Sequence, residues 1–282
     1  MEVSRLDAAG FDAAAGGFLG AREAEHNLML GLLGRLLDEP LLYGEEPPYF
    51  AVVEDGGRVV GAALRTPPHV LILSESEDAS AYAALARDAR DAFPLLPGLS
   101  GPPAGIRAFL SAWGGGARLA MSQRIYEASG VIAPRPVGGR MRPFADEDRA
   151  LVIAWLEGFM REAVADGRAE DAAGFVERNA LDPDGGLVLW EDGAPVSVAG
   201  FGQATPRGIR IGPVYTPPEL RGRGYASALV AALTQLLLDG GRELCFLFTD
   251  LANETANSIY PRVGYRPVAD FERWTFDAAP PR

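Results

Sequence analysis

Cysteine, lysine and long apolar runs are scarce or missing from this 282-residue chain, and each shortage removes a class of explanation. The one cysteine, Cys245, leaves no internal disulfide, and its run E-L-C-F-L-F marks a buried core thiol rather than a nucleophile. Lysine is absent altogether, so every basic side chain other than histidine is an arginine. No apolar run approaches the roughly 18 residues that span a bilayer, and the opening M-E-V-S-R-L-D lacks the basic and apolar regions of an export signal. A cytoplasmic protein with no membrane partner is expected. The formal net charge of −12 argues against nucleic acid as the main partner, because phosphate binding needs a surplus of basic residues. It suits a cationic substrate such as an amine, and it serves solubility equally well. The two histidines, His26 and His69, both lie in the first half, and no ligand spacing suggests a metal.

What is present is enough core for two ordinary domains: 48% hydrophobic residues over 282 positions. Two segments resemble each other. Ala51–Ala62 reads A-V-V-E-D-G-G-R-V-V-G-A, and Val188–Ala199 reads V-L-W-E-D-G-A-P-V-S-V-A. Both are apolar runs joined through E-D-G, a hairpin signal. Each follows helical sequence, with Leu28, Leu32, Leu33 and Leu36 on one face of Ala21–Leu37, and Leu151, Trp155, Phe159 and Val164 on one face of Asp146–Val164. Each precedes a strand, a helix, a further strand and a second helix. So long a repeat implies two copies of one α/β domain with a mixed sheet. The expected division is residues 1–133, a linker at 134–139 (P-R-P-V-G-G), and residues 140–282, with a strand at Arg140–Phe144 opening the second domain. In that half, strands at Leu187–Glu191, Pro195–Ala204 and Gly208–Thr216 form an antiparallel meander. The strand ending at Thr216 should run parallel to the one near Glu243, because a helix links them.

The stretch Gly212–Ala226, G-P-V-Y-T-P-P-E-L-R-G-R-G-Y-A, carries the chemistry. It leaves a strand, breaks at Pro217-Pro218, crosses a Gly/Arg loop and enters a helix near Tyr225. The first amides of a helix lack internal partners and the dipole is positive there, so Arg221, Gly222, Arg223 and Gly224 frame an anion site suited to a pyrophosphate.

Arg221-Gly222-Arg223-Gly224-Tyr225-Ala226 matches the R/Q-x-x-G-x-G/A signature of the GNAT N-acetyltransferase superfamily. Asn253–Tyr260, N-E-T-A-N-S-I-Y, resembles that family's N-x-x-A-x-x-x-Y segment, and Arg262–Tyr265 continues it. The resemblance covers roughly residues 140 to 276, and T-P-P-E-L-R-G-R-G-Y-A-S-A-L looks most like glycine N-acyltransferase-like members. It implies two tandem GNAT-like acyl-CoA N-acyltransferase domains and an acetyl-CoA cosubstrate without a metal. Backbone amides of Gly222 to Ser227, with Tyr225 and Ala226 between, would hold the pyrophosphate, and Arg221 and Arg223 would add charge. Gly224 would be small so that the phosphate can approach. Val214, Tyr215 and Thr216 would pair with pantetheine as an added strand does. Asn253, assisted by Asn257, would contact the pantetheine arm, and Tyr260 would protonate the departing thiolate. Read without the family, Tyr260 is also a half-buried packing tyrosine.

The acceptor would be the primary amine of a small molecule. For its proton, Glu157, Glu162, Asp166 and Asp250 are acidic candidates, each of which also reads as a solvated surface charge. The first half carries Glu75–Tyr82, E-S-E-D-A-S-A-Y, in place of the loop. Its acidic residues favour their own helix and repel a pyrophosphate, so that half is expected to be degenerate, without a CoA site. Ile106–Trp113 likewise lacks the Asn…Tyr segment. Two other functions stay in view: a non-catalytic acyl-CoA-binding or sensing protein, and a dinucleotide-binding protein lacking the full G-x-G-x-x-G. Oligomeric state is open, a homodimer included.

Overall fold

Unit 1 begins with β1 (Glu2–Leu6), α1 (Ala8–Gly20) and α2 (Asn27–Asp38), in a computed structural model that describes residues 1–163, 172–180 and 182–276. The helix expected over Ala21–Leu37 starts six residues later, with Leu32, Leu33 and Leu36 buried and Leu28 half-buried. β1 and α1 lack any signal singled out above. The first E-D-G turn closes the hairpin of β2 (Tyr49–Asp55) and β3 (Arg58–Arg65). β4 (Leu71–Leu73), α3 (Ala79–Ala92), β5 (Gly98–Gly101) and α4 (Pro103–Trp113) complete it, with β4 and β5 parallel across the α3 crossover. Leu71, Leu85, Leu99, Ile106 and Phe109 form the core beneath α3 and α4.

Unit 2 repeats the plan. β6 (Ala117–Ala128) runs into it, then β7 (Arg140–Pro143), a 3-10 turn at Asp146–Asp148, α5 (Arg149–Ala163) and α6 (Ala172–Ala180). Asp148 starts α5 by accepting the Ala145 amide at 2.9 Å while Arg142 grips both its oxygens, and that guanidinium holds its carboxyl below the usual range. The second E-D-G turn joins β8 (Gly186–Glu191) to β9 (Pro195–Gly202); β10 (Gly208–Tyr215), α7 (Tyr225–Asp239), β11 (Leu244–Asp250), α8 (Glu254–Arg262) and β12 (Arg266–Phe276) follow. β8, β9 and β10 form the expected meander, and β10 and β11 are parallel. α7 and α8 cover one face of the sheet, where Leu229, Leu233, Cys245 and Leu247 pack; α5 and α6 cover the other. Within α5 the buried stripe is Val152 and Leu156, with Trp155 and Phe159 partly buried against it. Leu151, placed on that face by spacing, is instead exposed, and Val164 lies outside the described residues. A mixed run with several apolar faces has more than one stripe of the right period, and packing against β8 and β9 selects one.

Where the sequence reading divides the chain at 134–139, the two units comprise Met1–Arg124 with the stretch from Ala269, and Ile125–Val268. The end of β12 pairs antiparallel with β5, Trp274 opposite Leu99, and Phe276 stacks on Trp113 in unit 1. The end of β6 lies beside β11 in unit 2, where Glu127 pairs with Arg266. The proposed linker packs inside unit 2: Trp190 donates its indole N–H to the Gly138 carbonyl at 2.8 Å.

Candidate functional site

The parallel pairing of β10 with β11 covers Gly208–Arg210 against Leu244–Phe246 and goes no further, although β10 continues to Tyr215 and β11 to Asp250. Just beyond Arg210 the register of β10 against β9 shifts between Ile211 and Val214. A bulge bends its strand and re-aims the residues after it. Ile209 and Ile211 before it pack on the α7 side, whereas Tyr215 after it packs among the α5 residues Val152 and Leu156. Ser197 Oγ donates to the Tyr215 carbonyl at 3.0 Å and so fixes that carbonyl on the β9 edge. Backbone groups of successive residues alternate between the two edges of a strand. Val214 and the Thr216 amide therefore face the edge where β11 has ceased to pair.

The chain then passes a 3-10 turn at Pro218–Leu220 and two residues in left-handed conformation, Gly222 (φ 77°) and Gly224 (φ 89°). Gly224 is the N-cap of α7 and offers no side chain, whereas Asp7, Asp78 and Asn253 cap α1, α3 and α8. The first helical bond is from the Ala228 amide to the Gly224 carbonyl, so the amides of Tyr225, Ala226 and Ser227 point out of the helix end. Glycine at 224 is required by the backbone itself. A Cβ there would also stand 3.0 Å from Val137 Cγ1, a neighbour that spacing along the chain does not reveal.

Around this loop the arginines are engaged. Arg223 donates to the Glu219 carbonyl at 3.2 Å. Arg221 donates Nε to the Thr216 carbonyl at 2.8 Å and Nη2 to both Glu162 oxygens at 2.7 and 3.0 Å. Tyr215 donates its hydroxyl to the same carboxylate at 3.1 Å, and burial followed by Glu162 raises its pKa. The Tyr225 hydroxyl is tied to Asp192 at 2.7 Å, which raises its pKa in turn.

On α8, Asn253 spends its side-chain oxygen capping the helix through the Ala256 amide at 3.0 Å. Asn257 donates to the Asp250 carbonyl at 2.8 Å and accepts from the Tyr126 hydroxyl at 3.2 Å, holding α8 to the end of β11 and to β6. Tyr260 is buried between the rings of Tyr126 and Tyr265, and burial pushes its pKa up to about 12. Tyr126, 131 residues before Asn257 in the chain, was not foreseeable from spacing. Of the acidic candidates, Glu157 lies exposed 4.0 Å from Arg161, Asp250 accepts the Ala252 amide, and Asp166 lies outside the described residues. Cys245 is buried as expected, with its pKa pushed up to about 12. Among the described residues, no group of three or more His, Cys, Asp or Glu side chains could hold a metal.

Unit 1 differs at the equivalent turn after β4. Asp78 caps α3 through the Ser80 amide at 2.9 Å, and Arg22 pairs with Glu77 at 3.0 Å. His26 is buried; its Nε2 accepts the Glu75 amide at 3.0 Å, and its Nδ1 lies 3.0 Å from the Leu19 carbonyl. Since a carbonyl only accepts, Nδ1 carries the proton and the ring is neutral; burial lowers its pKa. It is a structural residue of the turn.

The sequence profile of the Acetyltransferase (GNAT) family matches residues 149–265. A mycothiol acetyltransferase of Pseudarthrobacter chlorophenolicus is 31% identical over 160 residues, which cover 54% of this chain and 48% of that one. The chain thus matches about half the length of that relative. Among solved structures, a GCN5-related N-acetyltransferase from Kribbella flavida superposes with a TM-score of 0.57 at 21% identity, covering 88% of this chain and 96% of that one. A tandem GNAT protein from the clavulanic acid biosynthesis pathway superposes with a TM-score of 0.59 at 17% identity, covering 100% and 99%. The fold is therefore that of the tandem GNAT proteins, and the stretch similar to the GNAT acetyltransferase family, residues 149–265, contains the bulged strand, the uncapped helix and Tyr260.

Proposed function

We propose that unit 2 binds acetyl-CoA and transfers its acetyl group directly to the primary amine of a small molecule. The observation that carries this reading is the early end of β10–β11 pairing beside an uncapped helix start. Val214 and Thr216 offer pantetheine an open strand edge, and the amides of Gly222 to Ser227 offer its pyrophosphate a cluster of donors. An amide on that edge also suits the oxyanion of a tetrahedral intermediate. The mycothiol acetyltransferase relative supports acetyl transfer as the reaction class.

Tyr260 is protonated at neutral pH, and its elevated pKa defines its part. Full transfer to an alkyl thiolate of pKa about 8.5 is uphill from an acid at about 12. Its contribution is then a hydrogen bond to the sulfur as charge develops there, with CoA leaving as the thiolate and the amine's proton passing to solvent. Asn253 and Asn257 hold α8 in place for it. Unit 1, with Asp78 filling the anion position at α3, is read as carrying no CoA.

The test is acetyl-CoA binding by calorimetry together with thiol release against a panel of amines. Binding with no thiol above background for any amine leaves the acyl-CoA-sensing reading; no binding overturns both.

A further inference from the structure

Glu162 and Tyr215 form a cation site at the end of β10, and its present occupant is a side chain of the phosphate loop. The Arg221 guanidinium meets both carboxylate oxygens of Glu162 and lies 5.5 Å from the centroid of the Tyr215 ring. A carboxylate beside an aromatic face is the chemistry that selects organic cations. The site is built rather than incidental. A Cβ on Gly158 would stand 2.7 Å from the Tyr215 hydroxyl, so the absence of a side chain on α5 lets that ring lie against the helix. Phe159 meets the ring edge-on at 6.5 Å, and the tyrosine hydroxyl orients Glu162 at 3.1 Å. The ion pair between Arg221 and Glu162 is weak, since each side chain is 46% exposed, and the remaining bond of Arg221, from Nε to the Thr216 carbonyl, does not involve Glu162. Arg221 also belongs to the loop read above as the pyrophosphate cradle, where an anion competes for it.

We propose that Glu162 and Tyr215 recognise the ammonium group of an alkylamine acceptor, with Arg221 as the surrogate cation that yields the site when it turns to the cofactor phosphates. This rests on, and deepens, the acetyltransferase reading of unit 2. The placement fits the transfer geometry. Val214 and Thr216 would hold the thioester in the plane of the sheet, and Tyr215 between them projects to the α5 face. The amine then arrives from the α5 face, opposite the face on which Tyr260 packs. Glu162 is here a positioning residue, selecting for charge before a proton is lost.

The test uses the full chain with benzylamine, a cation at pH 7, and aniline, which is neutral there. With saturating acetyl-CoA, Glu162→Gln should raise KM for benzylamine about tenfold or more, the weight of one hydrogen bond to a charged group, and leave KM for aniline unchanged. Arg221→Gln should weaken acetyl-CoA binding without raising the benzylamine KM. Independently of turnover, calorimetry without CoA should detect benzylamine binding to Arg221→Gln and lose it in the Arg221→Gln/Glu162→Gln double variant. Equal heats in those two variants, or equal KM changes for both amines, would overturn the cation site. Failure of wild type to bind acetyl-CoA overturns the acetyltransferase reading instead, and the calorimetric comparison still decides the cation site.

Discussion

Replacing Gly224 by alanine separates the backbone geometry of the cradle from its charge. The residue sits at φ 89°, where any other residue is strained. A left-handed conformation costs an L-residue about 1–2 kcal/mol, and the stiffer unfolded chain offsets roughly 0.4–1 kcal/mol of a glycine-to-alanine change. The new methyl would also press on Val137 Cγ1 from 3.0 Å, and that side chain must give way. Urea unfolding should therefore show a loss of about 1 kcal/mol, and adding Val137→Ala should relieve the contact without relieving the strain. The larger effect should fall on acetyl-CoA. If the strain turns one amide of the Tyr225–Ser227 turn away from the pyrophosphate, a charge-assisted bond worth about 1.5–3 kcal/mol goes with it, roughly 10- to 150-fold in Kd. Calorimetry at fixed salt measures this directly. A variant destabilised as expected that binds acetyl-CoA within twofold of wild type would show that the cradle lies elsewhere.

Four further outcomes are expected. Tyr260→Phe should lower kcat by about 10²-fold or more while leaving the acetyl-CoA Kd unchanged. With Tyr260 at a pKa of about 12, kcat/KM for an alkylamine should rise as the amine deprotonates and show no downturn near pH 10; a falling limb there would mean the tyrosine is not shielded by burial. Asn253→Ala removes the cap of α8 and should cost about 1 kcal/mol by denaturation, with kcat falling more than acetyl-CoA affinity as Tyr260 loses its seat. His26 is neutral in the folded state with a lowered pKa, so its contribution is complete above its unfolded pKa near ~6.5 and declines as pH falls toward the folded value. His26→Gln should flatten the slope of stability against pH between pH 7 and 5; an unchanged slope would assign the acid sensitivity to other groups.

Much of unit 2 was legible because its signals are local. The E-D-G turns, the parallel relation of β10 to β11 and the glycines at 222 and 224 each follow from a few neighbouring residues and their backbone preferences, whereas the capping of α8 by Asn253, read from the sequence only as a pantetheine contact, emerged from the fold. The acidic residues of Glu75–Tyr82 were likewise legible as favouring their own helix, and in the fold Asp78 caps it. Long-range pairing was not legible. Every strand presents the same amides and carbonyls, so a run such as Arg266–Phe276 declares itself a strand without naming its neighbour; only the fold sets its end beside β5 and the end of β6 beside β11. The same holds for side chains that meet at the site. Tyr126 against Tyr260, Val137 beneath Gly224 and Glu162 around Arg221 are far apart in the chain, and the bulge after Ile211 reverses the face on which Tyr215 emerges. The sequence by itself determined which backbone could cradle an anion; tertiary packing decided what stands around it, because contacts between distant residues depend on register and crossing, which no local pattern encodes.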